Sequence, residues 1–234
     1  MPQNLDFATG RAAVRSEQAF LRDVFAWMFA ALALSTGIAI WFHADHTFSQ
    51  TYLQNHEGLF LVAIFAQLGL VIGISRAINR ISARTAAVLF FVYAGLTGAV
   101  FSVILTEFTT GTVVGAFAGA AGVFGGMALW GFTTQRDLSG WSGILFGAII
   151  GIVVASIVFL FVGGSTFNLI LGWAGVIIFS GLTAFQMQGL KRQAQAGIGN
   201  SAAAEKAVII GALGLYLSFV NLFISMLRIF GGGR

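Results

Sequence analysis

Few residues in this 234-residue chain can carry acid–base or metal chemistry: 8 are acidic, 3 are histidines and none is cysteine. All three histidines, His43, His46 and His56, fall between the first two apolar blocks. His43-Ala44-Asp45-His46 has the short spacing of a weak metal site, but no further ligand set stands near it. An interfacial histidine cluster is the plainer reading. No other block holds a histidine, so metal-dependent intramembrane hydrolysis has little support. Without cysteine, disulfides, thiolate metal sites and cysteine nucleophiles are excluded. No nucleophile–base pair can be assembled from what remains. The chain therefore reads as a non-enzyme with no cofactor and no metal.

Ionisable groups inside a membrane are functional candidates by default, and each can be weighed. Glu107 lies between the third and fourth apolar blocks. It could attract cations at a pore mouth, although a solvated loop glutamate is the plainer reading. Asp137 follows Arg136, as in a local ion pair or a helix cap. Arg22 and Asp23 open the first block and suit interfacial anchoring. Arg228 belongs to the last turn of the last block, where a cation suits the helix dipole and can snorkel to headgroups; the alternative is that it points into the bundle. Among uncharged groups, Gln67, Tyr93, Gln186, Tyr216, Ser218 and Asn221 fall within apolar blocks. Ser218 and Asn221 are three apart and share a helical face. A carboxamide facing lipid is unfavourable, so Asn221 should face the interior, as interhelical glue or as the lining of a water- or ion-accessible cavity.

The elements that position these groups follow from composition. Hydrophobic residues make up 58% of the chain and charged residues 9%, whereas soluble domains carry about 25% charged residues. The apolar residues form blocks long enough for a hydrocarbon core, which needs about 20 helical residues. Seven such blocks fall at roughly 24–42, 58–78, 85–105, 111–132, 141–162, 167–187 and 207–230. The pattern does not alternate as transmembrane β-strands do. The fold class is thus an all-α integral membrane protein, a seven-transmembrane helical bundle. Residues 1–23 form an N-terminal tail, 24–230 the transmembrane domain and 231–234 a short C-terminal tail. No cleavable signal peptide is evident, since about twenty mostly polar residues precede a first block too long for a signal core.

Orientation follows from Lys and Arg. Arg11, Arg15 and Arg22 precede the first block; Arg76, Arg80 and Arg84 follow the second; Arg136 follows the fourth; Lys191, Arg192 and Lys206 follow the sixth. The intervening connections carry none. The N-terminus should therefore be cytoplasmic, with Arg228 and Arg234 as exceptions at the far end. The net charge of +4 does not indicate nucleic acid, because the basic residues flank apolar blocks instead of sharing one polar face. The tryptophans lie mostly near block ends, as interfacial belts do. Lys206 only opens the seventh block, which disfavours a retinal-type Schiff base. The single proline is Pro2, so no span is kinked by proline. Glycines recur at four-residue spacing in Gly111-Gly115-Gly119, then Gly122 and Gly126, and in Gly143-Gly147-Gly151. These stripes are expected to receive a neighbouring helix of the same chain, with a homodimer face as the alternative.

Three stretches resemble the Bax inhibitor-1 family, the group that includes the bacterial YccA-like proteins. They are Phe132-Thr-Thr-Gln-Arg-Asp-Leu-Ser139, Phe179-Ser-Gly-Leu-Thr-Ala-Phe-Gln-Met-Gln188, and Gly214-Leu-Tyr-Leu-Ser-Phe-Val-Asn-Leu-Phe-Ile-Ser-Met-Leu-Arg-Ile-Phe230. The entry segment Phe20-Leu-Arg-Asp-Val-Phe-Ala-Trp-Met28 also fits. The resemblance implies six helices around a central seventh, residence in the bacterial inner membrane, and a role in ion homeostasis, often described as a pH-sensitive calcium leak. It also implies restraint of cell death in eukaryotes and, in bacteria, association with a membrane-bound quality-control protease.

The family's gate is explained by two aspartates that share a proton, one near the end of helix six and one in helix seven, latched by an arginine at the end of helix two. Two close carboxylates cannot both ionise cheaply, so one pKa rises toward neutrality. This chain departs at both positions: Gln186 stands at the first and Ser218 at the second, and neither titrates near neutral pH. The latch arginine corresponds to Arg76 or Arg80. Two expectations result. One is a calcium or proton leak, or a regulator of ion homeostasis, with its proton switch replaced. The other is a non-conducting modulator of a membrane protease or stress-response complex. The gate and pore candidates are Gln186, Ser218, Asn221, Tyr216, Arg76, Arg80, Glu107 and Arg228.

Overall fold

Twenty-odd apolar residues in a row can satisfy their backbone groups in lipid only as a helix, and the chain is helical throughout its apolar blocks. The computed structural model describes residues 3–44, 57–196 and 202–232. Among them run seven α-helices: α1 (Gln3–Ala44), α2 (Glu57–Ala77), α3 (Ala83–Ile104), α4 (Thr110–Thr133), α5 (Ser142–Val162), α6 (Ser165–Gln195) and α7 (Ala202–Gly231). Six of these helices contain a stretch long and apolar enough to cross a membrane, and α2 contributes the shorter apolar stretch Val62–Ala77. The protein is an all-α membrane protein. The residues expected as an N-terminal tail are helical from Gln3 onward and run unbroken into the first span.

Polar side chains set the helix ends. Ser82 sits in the β region and accepts the Thr85 amide at 3.1 Å, capping α3, and Thr109 does the same for Thr112 at the start of α4. The chain leaves α5 through Gly163 and Gly164, at φ +65° and +99°. A side chain would be strained at either φ, so glycine is what permits the tight reversal into α6.

The chain forms two compact units. The first comprises residues 1–107 and 193–216, the second 108–192 and 217–234, so α7 contributes its first half to one and its second half to the other. In the first unit, α1 and α3 cross closely at Gly98, where an added Cβ would lie 2.9 Å from Ile38 Cβ. Ser35 on α1 ties three helices together: its hydroxyl lies 2.7 Å from Ala94 O, 2.9 Å from Ala31 O and 2.7 Å from the Tyr216 hydroxyl. A serine has one proton to give. Since both carbonyls only accept, Tyr216 donates to Ser35, and Ser35 donates onward to the carbonyls. The Tyr216 ring, fully buried, meets Phe90 and Tyr93 edge-on at 5.5 and 5.9 Å.

In the second unit, α4 meets α6 at Gly131, whose Cβ would fall against the Ala184 backbone, and α6 meets α7 at Gly172 and Gly175, against Ile229 and Ser225. Phe219 of α7 packs edge-on against Phe117 and Phe124 of α4 at 5.5 and 5.6 Å. Only part of the expected glycine packing holds. Gly115 and Gly119 lie beside Phe230 and Met226, but a Cβ at Gly111, Gly122, Gly126, Gly143, Gly147 or Gly151 would touch nothing. The reason lies in exposure: only 11% of the apolar window of α5 is buried, against 61% for α7. The stripe on α5 therefore faces outward from the chain. The close crossings use isolated glycines on α3, α4 and α6 that the four-residue spacing did not single out.

Candidate functional site

One set of polar residues in the second unit lies along the seam between α6 and α7. These helices run antiparallel, so successive α6 positions face successive α7 positions in reverse order. Gln186 faces Ser218, Gly175 faces Ser225, and Gly172 faces Arg228 and Ile229. Ser218 is fully buried and donates to Gln186 Oε1 at 2.9 Å. The two positions that the resemblance matches to the sensor aspartates are therefore in direct contact. Both are uncharged, and their bond joins the two helices.

The other hydroxyls of the seam bond within their own helices. Thr183 donates to Phe179 O at 2.7 Å, and Ser225 to Asn221 O at 2.7 Å. Asn221 is half-buried, and its amide donates to Leu217 O at 2.8 Å, one turn back in α7. That bond is intrahelical, so Asn221 does not bridge helices through its donor. It lies on the same face of α7 as Ser218.

The remaining candidates lie elsewhere. Tyr216, two residues from Ser218 and so on a different face of α7, is absorbed in the Ser35 knot of the first unit. Arg76 and Arg80 are exposed at the end of α2 and in the turn that follows, and their side chains have no carboxylate partner among the described residues. Glu107 is exposed in a short 3-10 turn after α3. Arg228 is half-buried, with its guanidinium over the Phe159 ring at 5.8 Å. That placement corresponds to the bundle-facing alternative and is a cation–π contact. His43 is exposed at the end of α1, whereas Asp45, His46 and His56 lie outside the described residues.

Sequence reasoning missed the best-built polar cluster, which holds the connection between α4 and α5. Gln188, buried near the end of α6, donates to Arg136 O at 2.7 Å and accepts the Leu138 amide at 2.9 Å. Lys191 donates to Phe132 O at 2.8 Å and stands over the Phe132 ring. Arg192 reaches both Gln188 Oε1 at 3.0 Å and Asp137 at 2.6 Å. Asp137 thus pairs with Arg192, not with its neighbour Arg136, because α6 carries the longer reach back over the loop. It also accepts the Ser139 amide at 2.8 Å, an Asx turn that starts the next element. The Arg192 bond, followed by the Ser139 amide, holds the Asp137 carboxyl well below the usual carboxylate range. The available signal was the 50-residue reach of Gln188 within a quoted motif, which no local spacing rule exposes. Arg22 and Asp23, by contrast, form an exposed local pair at 2.9 Å at the start of the first block.

Residues 17–234 match the family described as "Inhibitor of apoptosis-promoting Bax1". The chain belongs to the Bax inhibitor-1 family. Relatives of this family agree over nearly the whole chain. It is 39% identical to the inner membrane protein YbhL of Escherichia coli K12 over 218 residues, which cover 93% of each chain. It is 40% identical to an uncharacterized protein of Deinococcus radiodurans over 210 residues, covering 90% of this chain and 89% of that one. Identity to an uncharacterized protein of Borreliella burgdorferi is 34% over 230 residues, covering 98% of this chain and 99% of that one. The protein is a multi-pass membrane member of the Bax inhibitor-1 family.

Proposed function

We propose that this protein is an ion leak, or a regulator of ion homeostasis, in the bacterial inner membrane, acting on calcium or protons without the family's acid-pair switch. The observation that carries the reading is the hydrogen bond from Ser218 to Gln186 at the two positions matched to the sensor aspartates. A neutral donor–acceptor pair holds α6 to α7 with the same geometry at any physiological pH, because neither group gains or loses a proton there. A family leak built this way conducts without a steep response between about pH 6 and pH 8. The inner-membrane location is supported by the name of the Escherichia coli relative. A cytoplasmic N-terminus is supported by the alternation of Lys and Arg among the connections. No enzymatic role is proposed.

The same bond favours a second reading. A seam without a titrating gate suits a non-conducting partner that modulates a membrane-bound protease or a stress-response complex. Calcium entry into liposomes containing the purified protein separates the two. A leak above that of empty liposomes, similar at pH 6 and pH 8, supports the first reading. Calcium flux equal to that of empty liposomes at both values, together with proton flux no greater than theirs, rejects it and leaves the partner role.

A further inference from the structure

The first unit has an open pocket of about 380 Å³ where the turn between α2 and α3 meets the start of α7. Ile78 and Asn79 line it from the turn, and Ala203, Lys206, Ala207 and Ile210 from the helix. The four helical positions follow i, i+3, i+4, i+7, which is one face of the first two turns of α7. The lining is therefore mainly apolar, with one ammonium, of Lys206, and one carboxamide, of Asn79, among it.

Its charge is one-sided. Lys206 is half-buried and has no carboxylate partner among the described residues. Arg76, Arg80 and Arg84, all exposed, flank the turn that supplies Ile78 and Asn79. The acidic residue next to the cleft is Glu205, which is exposed and, as an immediate neighbour of Lys206, points about a quarter-turn away round the helix. The walls are hydrocarbon and the rim is cationic. The cleft also lies where the apolar stretch of α2 ends at Ala77 and the apolar helix α7 begins, and the end of an apolar helix is where a headgroup is met.

We infer that this cleft binds an anionic phospholipid. The phosphate is received by the Lys206 ammonium and the Asn79 amide, and the glycerol and upper acyl chain lie along Ile78, Ala207 and Ile210. Basic pockets between transmembrane helices take anionic headgroups in this way. A free phosphate would use the cation but leave the apolar walls exposed, so the lipid is the occupant that matches both parts of the surface.

The test uses the full chain in detergent, with binding read by native mass spectrometry against added phosphatidylglycerol or phosphatidylcholine. Phosphatidylglycerol should bind the native protein more tightly than phosphatidylcholine. Lys206→Gln should weaken that binding about five-fold, the equivalent of one surface cation, while Lys206→Arg retains it. Ala207→Trp, which fills the cleft and keeps the charge, should also weaken it. Inorganic phosphate at equal concentration should not displace the lipid. The inference is overturned if both lipids bind alike, if Lys206→Gln changes nothing, if Ala207→Trp binds as well as the native protein, or if inorganic phosphate displaces the lipid. The unfolding temperature of each variant in phosphatidylcholine, expected to match that of the native protein, keeps a folding defect distinct from a lost site.

Discussion

Ser218 Oγ donates to Gln186 Oε1 at 2.9 Å, joining α6 and α7 at a point where Ser218 is fully excluded from solvent. Hydrogen bonds between transmembrane helices contribute about 0.6 kcal/mol on average. Ser218→Ala should therefore lower stability by about that amount, since the smaller side chain leaves no clash. Equilibrium unfolding in detergent measures it. A loss several times larger would mean that the seam depends on more than this bond.

Tyr216 is tied to α1 by its bond to Ser35. Tyr216→Phe removes the donor to Ser35 but keeps the edge-on ring contacts with Phe90 and Tyr93. Ser35 can still donate to Ala94 O, so the loss should be about 1 kcal/mol. A double-mutant cycle with Ser35→Ala should show coupling of similar size. Additive losses would contradict the bond.

Glycines at close crossings should be intolerant where the outward stripe is tolerant. A Cβ at Gly131 would lie 2.7 Å from Ala184 Cα, and such overpacking costs about 1–3 kcal/mol. Gly147→Ala, where nothing lies within 4 Å, should change stability by less than about 0.5 kcal/mol. Thermal unfolding of the two variants, side by side, checks the contrast.

Much of this architecture was legible beforehand. Block positions such as 85–105 and 111–132 fall within two residues of α3 (Ala83–Ile104) and α4 (Thr110–Thr133), because hydrocarbon thickness fixes the length of an apolar helix. The reading failed where polar residues continue a helix. α6 runs on to Gln195 through Lys191 and Arg192, past the apolar end expected near 187. The pairing of Gln186 with Ser218 came from matched motif positions, whereas Gln188 was missed because its partners are backbone groups 50 and 52 residues away. For Asp137 a local ion pair or a helix cap was expected; the local bond it does accept is from the Ser139 amide, while the ion pair goes to Arg192, whose reach exists only after folding.

The clamp on the 134–139 connection yields a pH prediction. The folded-state pKa of Asp137 is depressed, chiefly by Arg192. Its contribution is therefore fully present above the unfolded value near ~3.9 and is lost as pH falls through the folded value. Because Asp137 is exposed, salt screens the pair. Protease nicking of this connection should be constant between about pH 5 and pH 8, and faster in Asp137→Asn and in Gln188→Leu. Equal nicking of Gln188→Leu and the native protein would show that the buried amide does not hold the loop.

The central claim is that Gln186 and Ser218 occupy the place of a proton switch and remove its pH dependence. The most direct measurement compares calcium entry into liposomes at pH 6 and pH 8 for the native protein and for Gln186→Asp/Ser218→Asp. Two close carboxylates cannot both ionise cheaply, so one of the pair keeps its proton to a higher pH than a lone carboxylate. The account predicts a native leak that is equal at the two pH values and a variant leak that differs between them. A native leak that changes steeply over this range, or a variant that conducts alike at both values, would contradict it.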